Sequence, residues 1–367
     1  MKIICKQENL ILGLLKVSHL TGKNFNLPIL NNILIKAEGG VIELSATNLE
    51  MGVRTIIRGK IEQEGKITMP AKIITDYISL INSDKNITLE TQEGEVLINS
   101  DGWQTKIKTN PAEDYPLTPE VKGLKKYHIK TIDLKNSLNN VIFATSYDET
   151  KPELTGVLFW FKDKNLILAA TNSYRLAEKK IELEQEVKTE EKIIIPLKSM
   201  QELVRIINDT TKEYFTLDFE ENQIKFDFEE TIIISRLIEG EYPDYQQIIP
   251  REFGIEIEID NTELIKAIKA ASLFTKSGIF DVTLEFIKDV VIVRSINSQL
   301  GENVIKININ HKGGDETVIF NYKFLLDGLN NINSLKTKIL INSPVNPIVF
   351  KSTTNNDFMY LVMPIRQ

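Results

Sequence analysis

The chain has 367 residues, of which 42% are hydrophobic and 26% are charged, and its formal net charge is -7. This composition is typical of a folded globular protein and excludes disordered and fibrous classes, and the length exceeds what one hydrophobic core supports, so we expect two or three domains. The single cysteine, Cys5, excludes an internal disulfide framework and indicates a cytoplasmic protein. No apolar run approaches the roughly 20 residues of a membrane-spanning helix, so we expect no membrane partner.

The N-terminal third contains two predicted helices and a strand that ends in a turn. Asn9–Leu15 places its apolar residues on one helical face, and Leu44–Asn48 has the pattern of a strand followed by a turn. Met69–Ile81 contains Pro70, followed by apolar residues at three- and four-residue spacing. Proline is favoured in the first turn of a helix because the nitrogen there has no helical partner, so we predict that Pro70 lies in that turn.

The same three segments return twice further along the chain. Asn48 recurs as Asn172 and Asn297, at spacings of 124 and 125 residues. The proline-led helix recurs with steps of 126 and 125 residues, and the first helix with steps of 124 and 130 residues. These later copies are Ile195–Ile207, Phe320–Ile332, Asp133–Leu138 and Glu263–Ile268. Three coinciding periods indicate a threefold internal repeat.

Strands are predicted between the helices. The residues of Phe215–Phe228 alternate with period two, and hairpin turns are expected at Ala37–Val41 and Glu220–Gln223. Each repeat then has two helices packed on one face of an antiparallel sheet, which is an α+β fold. We predict three such domains, 1–122, 127–250 and 251–367, with boundaries near Lys122–Lys126 and Pro250–Phe253.

The sequence contains no recognisable catalytic motif. His19, His128 and His311 belong to no known catalytic pattern, and Cys5 is expected to be a small buried residue. Carboxylates cluster where a hydrolase or a hard cation could use them, but their alternation with aromatic residues favours solvated strand faces. They are Asp218, Glu220, Glu221, Asp227, Glu229 and Glu230. We therefore predict no catalytic residue, metal or cofactor, and a hydrolase using these carboxylates is the alternative.

Six segments of the chain carry a resemblance to a known family. They are Asn26–Ile35, Ala46–Met51, Tyr147–Phe159, Ala170–Ala177, Glu241–Pro250 and Met363–Arg366. In their order and spacing, these segments resemble the bacterial DNA polymerase III beta subunits, the sliding clamps. The resemblance covers the whole chain, and the family has the same threefold repeat. It implies a bacterial, non-catalytic replication protein whose two copies join head to tail in a ring around double-stranded DNA. A non-catalytic peptide-binding scaffold of the same fold is the alternative function.

The resemblance also implies which basic residues face the DNA. Helices would line the hole, and spaced cations can hold phosphates without reading bases, so the ring could slide along the duplex. A negative net charge does not prevent this, because only a local basic surface is needed. The predicted DNA-facing residues are Lys23, Asn24, Lys72, Lys135, Lys151, Lys198, Arg205, Lys266 and Lys269, and Lys16 and Lys323 lie on the same candidate helices.

A peptide pocket between the central and C-terminal domains is a further implication. An apolar lining with a few polar anchors suits a short apolar-and-glutamine peptide. The implied partners are the DNA polymerase III alpha subunit, the clamp loader, and other polymerases and repair proteins. The pocket residues are Leu154, Thr171, Tyr174, Arg175, Leu176, Pro243, Gln247, Ile248, Asn321, Phe324, Pro344, Met363, Pro364, Ile365 and Arg366. Ser173, Tyr174, Gln247 and Gln367 depart from the family's commoner residues.

Apolar residues are implied at the dimer interface. Leu273 and Phe274 occupy positions where the family's ring interface has apolar contacts, and the opposing face would be the helix beginning near Ala71. Ile73, Gly102 and Gln104 stand where basic partners are expected. The family's usual basic-to-acidic pairing is therefore hard to find in this sequence, and we predict a homodimer.

Overall fold

The structure is a computed structural model that describes residues 1–22, 26–116, 121, 126–276 and 278–366. Within these residues there are six α-helices, two in each predicted repeat. They are α1 Gln7–Ser18, α2 Ala71–Ser79, α3 Thr131–Val141, α4 Leu197–Asn208, α5 Asn261–Ser272 and α6 Tyr322–Leu329. The predicted helices and their spacing are therefore confirmed.

The rest of each repeat consists mainly of antiparallel strands, which are arranged in a similar way around the two helices. In the described residues the first and third repeats have nine strands each and the second has eight. The first repeat has β1 Lys2–Lys6, β2 Asn32–Glu38, β3 Val41–Thr47, β4 Met51–Ile57, β5 Lys60–Gln63, β6 Gly65–Pro70, β7 Asn86–Gln92, β8 Glu95–Ser100 and β9 Trp103–Lys108. The second has β10 Lys126–Lys130, β11 Gly156–Lys162, β12 Asn165–Thr171, β13 Arg175–Glu182, β14 Glu191–Pro196, β15 Tyr214–Phe219, β16 Gln223–Asp227 and β17 Thr231–Arg236. The third has β18 Ile255–Asp260, β19 Asp281–Ile287, β20 Val290–Asn297, β21 Gly301–Asn308, β22 Asn310–Lys312, β23 Glu316–Asn321, β24 Lys336–Ile341, β25 Ile348–Ser352 and β26 Phe358–Val362.

The helices that follow Pro70 and Pro196 start one residue later than predicted, directly after each proline. Pro70 is the last residue of β6 and Pro196 is the last residue of β14, so neither is in the first helical turn. Pro70 has φ -55° and ψ 114° and occupies the cap position of α2. Its ring fixes φ at a value that the end of a strand also accepts, and its missing N–H is tolerated there. Both predicted hairpin turns are confirmed, since β2 runs into β3 and β15 into β16.

The first helix of each repeat buries the same positions. In α1 these are Leu10, Leu14 and Val17, and the equivalent residues are buried in α3 and α5. Those residues are Leu134, Leu138, Val141, Leu264, Ile268 and Ala271. The α1 helix packs against α2, β3 and β4, and α5 packs against α6, β20 and β21. The shared burial pattern explains why the repeat is visible in the sequence, because equivalent faces must remain apolar.

The described chain forms two compact units, and the division cuts through the second repeat within α3 and α4. The unit of residues 1–131 and 201–237 has an eight-stranded sheet, ordered β10-β15-β16-β17-β4-β3-β2-β6, and a five-stranded sheet, β5-β1-β7-β8-β9. The unit of residues 132–200 and 238–367 has a nine-stranded sheet, β14-β11-β12-β13-β26-β25-β24-β18-β22, and a four-stranded sheet, β21-β20-β19-β23. Two of these sheets join strands of neighbouring repeats, which explains why the units differ from the repeats.

We call the β4–β17 pairing the first seam and the β13–β26 pairing the second seam. Met51 lies opposite Ser235 in the first, and Arg175 lies opposite Val362 in the second. Met51 and Arg175 are each the third residue after the repeated asparagine. The backbone N–H of Arg236 donates to the carbonyl of Glu50 at 2.8 Å, and that of Met363 donates to the carbonyl of Tyr174 at 2.8 Å. The two seams therefore have the same register.

Each seam also has a polar contact between helices or helix ends, which we call its clasp. In the first, Arg205 donates to the carbonyl of Lys16 at 2.7 Å, and the Lys16 ammonium donates to the Thr231 hydroxyl at 3.2 Å. Burial lowers the pKa of Lys16, and the charge of nearby Glu230 partly offsets this. In the second, the Asn140 side chain donates to the carbonyl of Asn331 at 2.9 Å. Lys16 and Asn140 occupy the same position of α1 and α3.

One expectation about the carboxylates is wrong. Asp218 is buried and not solvated. It lies opposite Lys225 across the β15–β16 pair, and the Lys225 ammonium is 3.5 Å from its carboxylate. Burial raises the pKa of this carboxyl, and the lysine opposes the shift. Period-two alternation does not indicate that this face of the hairpin is covered. Cys5 is buried as predicted, and burial raises the pKa of its thiol to about 12.

No described helix is both long and apolar enough to cross a membrane. Among the same residues, no three or more His, Cys, Asp or Glu side chains lie close enough together to hold a metal ion.

Candidate functional site

A tight turn at Thr171–Arg175 forms the centre of the predicted pocket. The Asn172 side-chain oxygen accepts from the backbone N–H groups of Tyr174 and Arg175, each at 3.1 Å, and the Thr171 hydroxyl donates to the carbonyl of Arg175 at 2.6 Å. Ser173 has φ 74°, a left-handed conformation that non-glycine residues rarely adopt. The side chain of Tyr174 is left 64% exposed at the tip of this turn.

The Arg175 guanidinium is almost fully buried and is held by the residues around it. It donates to the Asp327 carboxylate of α6 and to the backbone carbonyl of Phe143. Its central carbon lies 4.7 Å from the ring centroid of Phe324, which is cation–π geometry. The guanidinium therefore fixes α6 beside the turn instead of projecting freely into the pocket.

Other predicted pocket residues meet around this turn. Met363 is joined to Tyr174 by the backbone bond of the second seam, and the N–H of Ile365 donates to the carbonyl of Ile319 at 2.8 Å. Leu154 and Leu176 belong to one buried cluster that also contains Tyr242 and Tyr245. The side-chain oxygen of Asn321 caps α6 by accepting from the N–H of Lys323 at 3.0 Å.

The accessible part of the predicted pocket is mostly apolar. Ile248 is 47% exposed and Ile365 is 42% exposed, and Pro364 is buried. Pro243, Gln247, Pro344 and Arg366 are exposed, and they are assigned to the pocket by resemblance alone. Gln367 lies outside the described residues. Exposed apolar groups beside a fixed polar turn are what a short apolar peptide requires.

Sequence reasoning missed the polar support beneath the pocket. The Tyr245 hydroxyl donates to the buried carboxylate of Glu178 at 2.6 Å. Burial and, next, the charge of Glu178 raise the pKa of Tyr245, so it remains a neutral donor. The Glu241–Pro250 segment already matched the family, but no local pattern indicates that its tyrosine reaches Glu178.

Lysine recurs at one exposed position of every second helix. Lys72, Lys198 and Lys323 each follow the first residue of α2, α4 and α6, and all three are exposed. The exposed faces of the first helices differ: α5 has Lys266 and Lys269 where α1 has Leu12 and Leu15 and α3 has Asn136 and Asn139.

The remaining predicted DNA-facing residues are not equally available. Lys151 is exposed, Lys135 is half-buried, and Lys23 and Asn24 lie outside the described residues. Arg205 is half-buried, pairs with Glu202 and takes part in the first clasp.

The residues predicted at the dimer interface lie just after α5, on α2 and at β9, and the strands β9 and β21 each have an edge that could face another copy. Within the described residues, β9 pairs only with β8 and β21 pairs only with β20, so each has an unpaired edge. Leu273 is 72% exposed just after α5, and Phe274 is half-buried. On α2 and at its end, Ile73 is 55% exposed and Leu80 is 67% exposed.

All three repeats match models of one protein family. The models of the DNA polymerase III beta subunit match residues 1–119 with the N-terminal domain, 128–244 with the central domain and 246–366 with the C-terminal domain. The chain is 31% identical to a beta sliding clamp of Staphylococcus aureus strain Mu50, over 93% of this chain and 92% of that one. The chain belongs to the DNA polymerase III beta subunit family.

Further relatives agree over the whole length. The chain is 29% identical to the beta sliding clamp of Synechococcus elongatus, over 100% of this chain and 99% of that one. The solved DNA polymerase sliding clamp of Bacillus subtilis superimposes with a TM-score of 0.96 at 25% identity, covering 100% and 99% of the two chains. The predicted family and three clamp-type α+β domains are confirmed. The family is non-catalytic, which confirms that the chain is not an enzyme and removes the hydrolase alternative.

Removing the Arg175 guanidinium should destabilise the protein. Arg175→Ala leaves the Asp327 carboxylate and the Phe143 carbonyl without this donor, and we expect a loss of about 2–3 kcal/mol in the free energy of unfolding, measured by urea denaturation. Lys164→Ala is the matched control, since it breaks the exposed pair with Glu182 and should cost less than about 1 kcal/mol. Equal losses in the two variants would contradict a supporting role for Arg175.

Proposed function

We propose that this protein is a sliding clamp, in which two copies join head to tail, encircle double-stranded DNA and tether a replicative polymerase. The proposal rests chiefly on strand pairing. Three repeats produce two seams within the chain and, among the residues that the structure describes, leave one seam-forming edge unpaired at β9 and another at β21. A strand edge presents a row of unpaired N–H and C=O groups that can pair with another chain. A second copy, placed head to tail, would pair both edges and close the ring.

Equivalent backbone contacts support the pairing of β9 with β21. The N–H groups of Asn110, Ile238 and Ile365 each donate to the strand that precedes the second helix of their repeat, at Thr68, Ile194 and Ile319. These three donors are therefore equivalent positions. Three residues before them lie Ile107, Ser235 and Val362, and the last two are the seam residues opposite Met51 and Arg175.

The same rule gives the register of the seam between two copies, the third seam. Leu300 is the third residue after Asn297, so it takes the place of Met51 and Arg175 and should lie opposite Ile107 of the partner copy. Continuing along antiparallel strands places Glu302 opposite Thr105 and Val304 opposite Trp103. The alternate positions pair Gly301 with Lys106 and Asn303 with Gln104.

Contact with DNA is proposed through exposed lysines of the helices. Lys72, Lys198 and Lys323 give one cation per repeat, and Lys266 and Lys269 add two on α5. Such cations neutralise phosphates without reading bases, so the complex can move along the duplex. Because α1 presents leucines and α3 asparagines at the equivalent positions, the third repeat should contribute most to this contact.

The pocket around Thr171–Arg175 is the proposed docking site for partner peptides. Its partners would be the DNA polymerase III alpha subunit, the clamp loader and other polymerases or repair proteins. We further propose that the domains span 1–122, 127–250 and 251–367 and that the protein works in the cytoplasm. Most of the proposed boundary near Lys122–Lys126 lies outside the described residues.

Topological retention on DNA is the first test. After loading onto nicked circular DNA by the clamp loader and ATP, the protein should stay bound in high salt, because a closed ring needs no ion pairs to remain on the circle. Cutting the circle once should release it through the free ends, as followed by gel filtration. Retention equally sensitive to salt on circular and linear DNA would mean electrostatic contact alone, and the sliding-clamp proposal would fail.

A cysteine pair tests the proposed register between copies. Thr105→Cys with Glu302→Cys places two thiols at a non-hydrogen-bonded pair, where the Cα atoms are about 4.5 Å apart and a disulfide fits. Mild oxidation should give a covalent dimer on a non-reducing gel, and buried Cys5 should not interfere.

The control pair is Gln104→Cys with Glu302→Cys. It is shifted by one residue, which turns one thiol to the opposite face of the sheet, so little dimer should form. Cross-linking of the control in preference to the test pair would refute the register.

Peptide binding tests the pocket. A fluorescent peptide with one glutamine followed by leucine and phenylalanine should bind, and Ile248→Asp should weaken it about tenfold or more, because a charge replaces an apolar contact. Leu335→Asp, at a residue 86% exposed and outside the predicted pocket, should leave the anisotropy titration unchanged. Equal affinity of the Ile248 and Leu335 variants would exclude Ile248 from the site.

A further inference from the structure

The third seam differs in chemistry from the two seams within the chain. At the first seam the clasp joins Arg205 to Lys16, and at the second it joins Asn140 to Asn331. In both, a polar side chain from a helix meets a backbone carbonyl of the neighbouring repeat. The clasp position of α5, equivalent to Lys16 and Asn140, is Ala270, which has no polar side chain. The equivalent of Arg205 on α2 is Ser79, whose hydroxyl donates to the carbonyl of Asp76 in its own helix at 2.7 Å.

The opposing face is also apolar. Asn331, the acceptor of the second clasp, is ten residues after Asn321, and the residue ten after Pro70 is Leu80. Leu80 is 67% exposed, and Ile73 on α2 is 55% exposed. On the α5 side, Leu273 is 72% exposed. The helix level of the third seam would therefore bring apolar side chains together where the internal seams have polar clasps.

The strand level provides few complementary charges. In the derived register, Glu302 faces Thr105 and Lys106 faces Gly301, and just beyond the paired strands Lys306 faces Asp101. Glu302 lies 3.8 Å from Arg294 on the neighbouring strand of its own sheet, Lys106 lies 3.7 Å from Glu95, and Asp101 lies 2.8 Å from Lys85. Glu302, Lys106 and Asp101 are therefore each paired within their own chain, and the contacts left between copies are mainly backbone hydrogen bonds and apolar side chains.

We propose that the ring closes at the third seam mainly through apolar contact and backbone hydrogen bonds, with little contribution from ion pairs between copies. This inference rests on the proposed head-to-tail dimer and adds how that dimer responds to its surroundings. Salt screens interactions between exposed charges, so it should have little effect on closure. Apolar association weakens on cooling, so lower temperature should favour the open ring.

The test is the dimer dissociation constant of the full-length protein, measured by sedimentation velocity. Between about 50 mM and about 500 mM NaCl we expect less than about a threefold change, because the Debye length falls severalfold but the seam has few charges to screen. Cooling from about 30 °C to about 5 °C should raise the dissociation constant at both salt concentrations.

Two sets of variants accompany the measurement. Leu273→Ala should weaken the dimer about tenfold at every salt concentration, and Leu335→Ala, at an exposed leucine away from the seam, should not. The double variant Ala270→Glu with Leu80→Lys places opposite charges across the seam. Its dimer dissociation constant should therefore depend on salt, and this control shows that the assay can detect ion pairs at the seam.

The outcomes separate the two proposals. A wild-type dimer that weakens about tenfold or more in high salt would overturn the apolar seam and leave the dimer standing. An unchanged dissociation constant for Leu273→Ala would also overturn it. A protein that remains monomeric at all concentrations would instead overturn the sliding-clamp proposal itself.

Discussion

Backbone hydrogen bonding at strand edges is the constraint on which the rest of this structure depends. An unpaired edge is a row of donors and acceptors that water or another strand must satisfy. β4 and β13 obtain their partners from the next repeat, through β17 and β26. Three repeats in series form two such pairings, and in the described part of the chain β21 and β9 each keep one unpaired edge. The unpaired edges at the two ends thus follow from the same pairing that joins the repeats.

The repeats share their interior and differ at their surface. Leu10 of α1 and its equivalents Leu134 and Leu264 are all buried, because each helix must cover its own sheet. Two positions later on the exposed face, the equivalents are Leu12, Asn136 and Lys266. Packing against the sheet constrains the buried positions, and it leaves the exposed positions free to vary. Differences between repeats are therefore where functional specialisation is expected, and the lysines of α5 are one example.

Sequence patterns were sufficient for the helices, the hairpins and the threefold repeat. Each of these depends on local periodicity or on a short turn, and both are visible in a single chain. The start of α2 differs from the prediction by one residue, because a proline such as Pro70 fits the end of a strand as well as the start of a helix. Alternation indicates which faces of a strand differ, and the hairpin at Glu220–Gln223 places Lys225 opposite Asp218. Neither pattern indicates that this face of the hairpin is covered, so the burial of Asp218 was not predictable.

Long-range partners set a similar limit at the site. The resemblance selected Arg175 as a pocket residue, yet nothing near it in sequence indicates that its guanidinium is bound to Asp327, which is 152 residues away. The same turn that holds Arg175 also begins the second seam, because the carbonyl of Tyr174 accepts the N–H of Met363. The strand pairing between repeats therefore holds the turn of the predicted pocket in place.

The equivalent turns of the other repeats have different residues at the position of Tyr174. This residue is Glu50 in the first repeat and Gln299 in the third, and both are exposed. An acid or an amide cannot offer a peptide the aromatic surface that Tyr174 provides, so the proposed docking of a peptide is expected at the Tyr174 turn and not at its two equivalents.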